Sequence, residues 1–229
     1  MRAGARVVVF AVAVVAGTSC TIPFAHRGAP DPNRPVPDSF LVSFETSRGR
    51  FDVMARKAWA PNGVDHFYTL VGNRYYDGAR FFRVVKNFVA QFGLAADPER
   101  TAAWRLRAIA DEPVKHTNAR GVIAYARGGP GTRSTQLFIN LKDNARLDTL
   151  NGFGFPPIAE VVSGMDVVDS LYSGYGEATP RTGAIAGRSG PSQDSIGRQG
   201  NVYLQRGWPK LDYIKRARIV HEWRGADEP

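Results

Sequence analysis

The chain has 229 residues, 43% of them hydrophobic, enough to close the core of one ordinary domain without metal or disulfide staples. Its single cysteine, Cys20, excludes an internal disulfide framework, a CxxC redox pair and a cysteine-built zinc cluster. The formal charge of +9 raises nucleic acid as a partner, but the basic residues are scattered, densest only in "KRAR" (215–218) and around 100–107; attraction to anionic envelope material or a solvated face fits better, and no nucleic acid is expected.

The first segment reads as targeting sequence. Arg2 and Arg6 form a positive region ahead of the apolar run "VVVFAVAVVAG", which is short for a membrane-spanning helix. It ends in "TSC", small residues before a cysteine, which resembles a bacterial lipoprotein signal despite Gly17 in place of an aliphatic residue. Residues 1–19 are therefore expected to be removed, leaving Cys20 as a lipidated first residue; a plain secretory signal is the alternative, and both mean export to the envelope or periplasm. Removal takes away two arginines and no acid, so +9 becomes +7. Residues 20–38 carry five prolines and are expected to form an extended tether, with a folded domain over 39–222 and a tail at 223–229.

The domain opens on "SFLVSFET", where Phe40, Val42 and Phe44 share one side of a strand; "SRGR" is a turn and "FDVMARK" a second strand. The period then changes. Val64, Phe67, Tyr68 and Val71, behind Pro61 and before Gly72, predict a helix with one apolar stripe. Strands are predicted at "ARFFRVV", "FVAQFG", "GVIAYAR", "QLFINL" and "IAEVV", and "GMDVVDSLY" as a short second helix. Residues 173–200, rich in Gly, Ser and Arg with no sustained apolar period, predict an exposed loop or insertion; "NVYLQRGW" is expected to make a turn of helix and "YIKRARIVHEW" the last strand. Many short strands with few crossover helices suggest a closed antiparallel barrel.

Several chemistries lack their parts. There is no GxSxG elbow, no GxxxxGK[ST] loop and no GxGxxG opening a helix after a strand, and "GGPGTRS" has no lysine where a phosphate loop needs one. His26, His66, His116 and His221 stand far apart, without a ligand at metal spacing, so no metal and no cofactor are expected. What remains is an arginine, two glutamines and apolar residues: Arg83, Phe88, Val89 and Gln91 in one block, Ala126, Gln136, Phe138 and Leu147 in others. Taken singly, the apolar members read as core, Arg83 as an outward strand residue paired with an acid, and the glutamines as surface amides.

Together these blocks point elsewhere. "FFRVVKNFVAQFG", "GVIAYARGGPGTRSTQLFIN" and "RLDTLNGFGFPPIAEVVSGMDVVDSL" make the chain resemble the cyclophilin family of peptidyl-prolyl cis/trans isomerases, the bacterial exported kind in particular. The similarity runs from about Ser39 to Tyr172 and resumes near 213–220. The resemblance implies a mainly β fold, eight antiparallel strands closed into a barrel packed with side chains, two helices over its ends and a substrate groove outside. It implies Arg83 as the catalytic arginine with Gln91 holding it. Phe88, Val89, Phe138, Leu147 and Phe155 would line a proline pocket, and Ala126, Arg127 and Gln136, with Gln91, would hold the peptide backbone. The implied substrates are proline-containing polypeptides, met by a monomer attached to a membrane only through Cys20. Arg146 stands where relatives sensitive to cyclosporin carry Trp, so weak cyclosporin binding is expected; Phe155 stands where many carry a groove His, Val89 where many carry Met, and Arg127 where eukaryotic members carry Asn. Three functions stay open: an isomerase for exported proteins; a non-catalytic proline-peptide-binding module whose partner contact is the basic 173–200 insertion; and, more weakly, a holder of unfolded chains.

Overall fold

Alternation in the first block produces a hairpin. β1 (Ser39–Thr46) pairs antiparallel with β2 (Arg50–Arg56) from Ser39 opposite Arg56 to Glu45 opposite Arg50. Phe40, Val42 and Phe44 are fully buried, and Phe44 stacks on Phe51 with centroids 4.9 Å apart. In the computed structural model, residues 35–176 and 190–225 are described. The expected signal at 1–19, Cys20, most of the tether, the middle of the insertion and the last four residues lie outside them. Within them, Asp38 already belongs to the sheet, donating to Trp223 O (3.1 Å) and accepting from Lys57 N (2.8 Å).

The helix predicted behind Pro61 is α1 (Pro61–Gly72), with Val64, Phe67, Tyr68, Leu70 and Val71 buried. Its first turn is completed from far along the chain. Ala60 offers no side-chain cap, and the carboxylate of Glu112 accepts from Asn62 N (2.6 Å) and Gly63 N (3.0 Å), satisfying amides that a helix start leaves open.

β3 (Arg83–Val85), β4 (Val89–Phe92), β5 (Val122–Tyr125), β6 (Leu137–Asn140), β7 (Pro157–Ser163) and β8 (Ile214–Trp223) complete one sheet in the order β3-β4-β6-β5-β7-β2-β1-β8. Every pairing is antiparallel, and register shifts in the β1/β8, β2/β7 and β5/β7 ladders bend the sheet. It curls into a half-barrel around one apolar interior that includes Phe40, Phe44, Phe67, Tyr76, Phe81 and Phe92.

Full closure, expected from the sequence, is not what forms. The edge strands β3 and β8 share no ladder; the seam between them is one isolated bridge, Arg80 with Tyr213, and three backbone bonds, Gly78 N to Ile214 O, Ile214 N to Ala79 O and Phe81 N to Asp212 O. The physical reason is the turn just ahead of β8, where Leu211 N bonds back to Trp208 O and the Arg80 guanidinium donates to Leu211 O (2.9 Å), so the chain leaves the seam before a ladder can grow.

The expectation of two helices is also corrected. Besides α1, the described residues hold α2 (Pro98–Arg105), α3 (Met165–Asp169, the second helix foreseen) and α4 (Gln193–Gly207), with 3-10 turns at Ala145–Asp148 and Leu150–Gly152. α2 starts on Asp97, whose carboxylate accepts from Glu99 N, followed by Pro98 at the first position. α4, two helical segments joined by a kink at Gly200, bears out the helical turn expected at "NVYLQRGW" and overturns the reading of 173–200 as loop throughout. Ile196, Gly200 and Leu204 recur every four residues and are buried, and Ile196 and Leu204 join Phe82, Leu94 and Leu211 in a second apolar cluster.

Candidate functional site

The site is written in cross-strand registers. Arg83 on β3 lies opposite Gln91 on β4, Gln91 opposite Phe138 on β6, and Phe138 opposite Ala124 on β5. Residues directly opposite share a face, so this row stands on one side of the sheet. The next row, Val84, Ala90, Ile139 and Ile123, fills the interior. Alternation thus sets a polar and aromatic row on the outer surface without exposing the core.

On that outer face the two amides form a relay. Arg83 Nη1 donates to Gln91 Oε1 (3.2 Å), and Gln91 Nε2 donates to Gln136 Oε1 (2.8 Å). Gln136 keeps its own NH2 without a protein acceptor among the described residues, so it can donate to something that arrives. The relay depends on close backbone approach. Gly93, at φ +105, sits where a Cβ would overlap Thr135 O and Gln136 Cα, so only glycine lets the end of β4 reach the residues before β6. From the interior, Tyr75 Oη donates to Gly93 O (3.3 Å) and Tyr76 Oη to Thr135 O (3.1 Å), holding the same junction.

Beside the relay is an apolar cluster separate from the main core. Val89, Ala124, Phe138 and Leu147 are its buried members, with Phe88, Ala126 and Phe155 half-buried against them. Phe138 and Phe155 meet edge to face with centroids 5.6 Å apart, and the Arg83 guanidinium carbon lies 5.4 Å from the Phe88 ring centre. The structure therefore gathers every apolar site residue expected from the sequence into one patch bordered by Arg83, Gln91 and Gln136.

Arg127 sits differently. Its side chain is fully buried, paired with Asp111 (2.8 Å), donating to Phe153 O (2.6 Å) and Gly154 O, with its guanidinium 4.1 Å from the Phe153 ring. Its donors serve the loop that carries Phe155, so it braces the apolar patch from behind.

The sequence reading missed a polar network under the pocket. Asn144 Nδ2 donates to Phe88 O and Asn140 Oδ1, both 2.9 Å; Asn140 Nδ2 donates to Val122 O (2.9 Å) and Asn118 Oδ1 (3.2 Å). Asn118 in turn donates to Phe155 O (3.0 Å) and to the Asp148 carboxylate. With Leu147 N bonded to Asn144 O (2.7 Å), these buried asparagines tie three residues of the patch, Phe88, Leu147 and Phe155, to one frame. Burial works against the Asp148 charge, but bonds from Thr117 and Asn118 prevail and hold its carboxyl below the ordinary value. The spacing of Asn140 and Asn144 beside an apolar strand was the available signal: a turn whose amides must be satisfied locally.

The family model for "Cyclophilin type peptidyl-prolyl cis-trans isomerase/CLD" matches residues 41–185. Peptidyl-prolyl cis-trans isomerase B of Escherichia coli (strain K12) is 32% identical over 165 residues, covering 67% of this chain and 91% of that protein. The isomerase cyp18 of Streptomyces antibioticus is 36% identical over 138 residues, covering 57% of this chain and 81% of that one. Among solved structures, a cyclophilin type isomerase of Cryptosporidium parvum superposes with a TM-score of 0.55 at 17% identity, over 80% of this chain and 98% of that one. A structure of the same isomerase in the presence of the dipeptide Ala-Pro gives a TM-score of 0.53.

Proposed function

The chain belongs to the cyclophilin-type peptidyl-prolyl cis-trans isomerases and is an enzyme of that class, and from this premise we propose that Arg83 lowers the rotation barrier while Gln91 holds it in place. The amide C–N bond resists rotation by about 18–20 kcal/mol because the nitrogen lone pair is delocalised into the carbonyl. Uncatalysed X-Pro bonds consequently take tens to hundreds of seconds to turn over. A guanidinium donating to the prolyl nitrogen as it becomes pyramidal localises that lone pair. The bond is stronger in the twisted state than in either planar state, which makes it catalytic as well as attractive.

The remaining residues divide the work. Phe88, Val89, Phe138, Leu147 and Phe155, with Ala126 at the edge, hold the proline ring by apolar burial. Gln136 turns its open NH2 towards a peptide carbonyl, and Arg127 acts through the wall it braces. The observation carrying this reading is the Arg83–Gln91–Gln136 relay at the border of an apolar patch separate from the core.

The test compares wild type with Arg83→Ala on a proline-containing tetrapeptide by exchange NMR. Expected is a fall of about 10²–10³ in kcat/KM with peptide affinity retained, the scale on which a preorganised donor acts. Equal, near-background rates in both proteins would favour a proline-peptide-binding module instead.

The same reading places the enzyme outside the cytoplasm, assisting exported proteins to fold. Its support is the order of features in the first 38 residues: basic start, apolar run, Cys20, then prolines. No helix among the described residues is long and apolar enough to cross a membrane. Mass spectrometry of the mature N-terminus is expected to show acylated Cys20, and Cys20→Ala is expected to release the protein from the membrane fraction. An intact Met1 would overturn the export reading.

A further inference from the structure

Phe88 carries a second cation. The guanidinium carbon of Arg146 lies 5.1 Å from the same ring centre that Arg83 approaches at 5.4 Å, yet the two arginines come from different elements, the 3-10 turn at Ala145–Asp148 and strand β3. Arg146 is exposed, whereas its neighbour Leu147 is buried in the pocket wall. Its base is fixed: Asn144, the residue before the turn, donates to Phe88 O, and Leu147 N bonds back to Asn144 O at 2.7 Å.

The charge on Arg146 is not cancelled by its own surroundings. Asp143 accepts from Arg120 N, and Asp148 accepts from Thr117 and Asn118, so both acids flanking the turn are directed elsewhere. Among the described residues no carboxylate pairs with Arg146; the Phe88 ring is its partner. Lys86 stands two residues before Phe88, and Lys142 follows Leu141, whose N–H bonds to Phe88 O. Lys86 and Lys142 thus join Arg146 along this border, where Asp143 and Asp148 are the nearby acids and neither pairs with Arg146. The arginines on the 127–133 side are instead paired with Asp111 and Glu112.

We propose that Arg146 is a specificity-determining residue that makes the isomerase favour proline segments with a carboxylate beside the proline. The inference rests on the isomerase reading of the pocket and adds the substrate class. Phe88 would contact the proline ring while Arg146, seated on the same phenyl, faces a neighbouring side chain of the peptide. Arg83 would be engaged at the prolyl nitrogen, leaving Arg146 as the cation on that ring open to pairing. An exposed pair of this kind changes selectivity by a few-fold and is weakened by salt.

The test uses the full mature chain and two tetrapeptide series carrying Glu, Gln or Lys immediately before or after proline, with isomerisation followed by protease-free exchange NMR. The readout is the ratio of kcat/KM for the Glu peptide over the Lys peptide. Expected in wild type is a ratio of about threefold or more in one series, falling towards unity at 0.5 M salt because the pair is exposed. Arg146→Lys retains the ratio, Arg146→Ala lowers it and Arg146→Glu inverts it. Turnover that is blind to charge in wild type, or a ratio unchanged in Arg146→Glu, would overturn the proposal and leave the isomerase reading intact. A ratio abolished by Lys86→Ala with Lys142→Ala, but not by Arg146→Glu, would also overturn it by assigning the preference to the lysines. Absence of turnover on every peptide would take down both readings together.

Discussion

At Gln91 one amide meets two demands, its oxygen receiving Arg83 and its nitrogen reaching Gln136. If Arg83 acts at the twisted bond and Gln136 on the peptide backbone, the glutamines should fail differently. Gln91→Ala is expected to lower kcat about tenfold with KM little changed, because a loosened guanidinium loses interactions made in the transition state. Gln136→Ala should instead raise KM, and line-shape analysis across peptide concentration separates the two. Residue by residue, the apolar site was hard to tell from core: Phe138 and Ile139 are adjacent, equally greasy and both buried, yet one faces the pocket and the other the interior. Strand alternation separates them once β6 is placed, but nothing local says which face carries the pocket. Arg127 was legible as a residue and not as a role, since its partners Asp111, Phe153 and Gly154 arrive from loops on either side in sequence.

Elements were legible to the degree that one period ran through them. The hairpin β1–β2, helix α1 and strand β8 follow unbroken patterns, and the structure forms them where those patterns fall. The second half of α4 was legible as the helical turn expected at "NVYLQRGW", but its first half was hidden because glycines interrupt its apolar spacing, and the reason for one of them is tertiary. Gly200 adopts φ +56 and ψ −143, and a Cβ there would overlap Ala96 O. That close approach lets Asn201 N reach Ala96 O (2.9 Å) and Asn201 Nδ2 reach Gly78 O (3.0 Å), fastening α4 to the segment before α2 and to the stretch between α1 and β3. Gly200→Ala is therefore expected to cost about 2 kcal/mol, from a backbone region that side chains avoid, and to lower Tm by about 4–8 °C in a thermal melt. Gly197→Ala, where a Cβ meets nothing within 4 Å, is the control and should leave Tm unchanged or slightly raised.

Across the whole molecule, the half-barrel places its titratable groups unevenly. His66 on α1 is half-buried between Trp104 and Tyr125, with ring centroids 5.9 and 6.1 Å away. Burial, then the positive charges of Arg107 and Arg133, push its imidazole below the ordinary 6.5, opposed only in part by the nearby Ser134 backbone. The folded state thus resists a proton that the unfolded chain accepts, so stability is full above about pH 6.5 and declines as pH falls below it towards the folded value. Urea titrations between pH 8 and 5 should show this slope, and His66→Phe, which keeps an aromatic ring beside Trp104 and Tyr125, should flatten it. By itself the sequence determined a β-rich domain, because alternation, helical period and turn residues act over a few neighbours, while the candidate site residues stood out only through the family resemblance. Only the tertiary structure decided that the sheet stops short of closing, that Glu112 completes α1, that asparagines frame the pocket and that Arg146 shares a phenyl ring with Arg83. Each joins residues distant in the chain, and such contacts form only when the curled sheet brings separate strands and turns side by side.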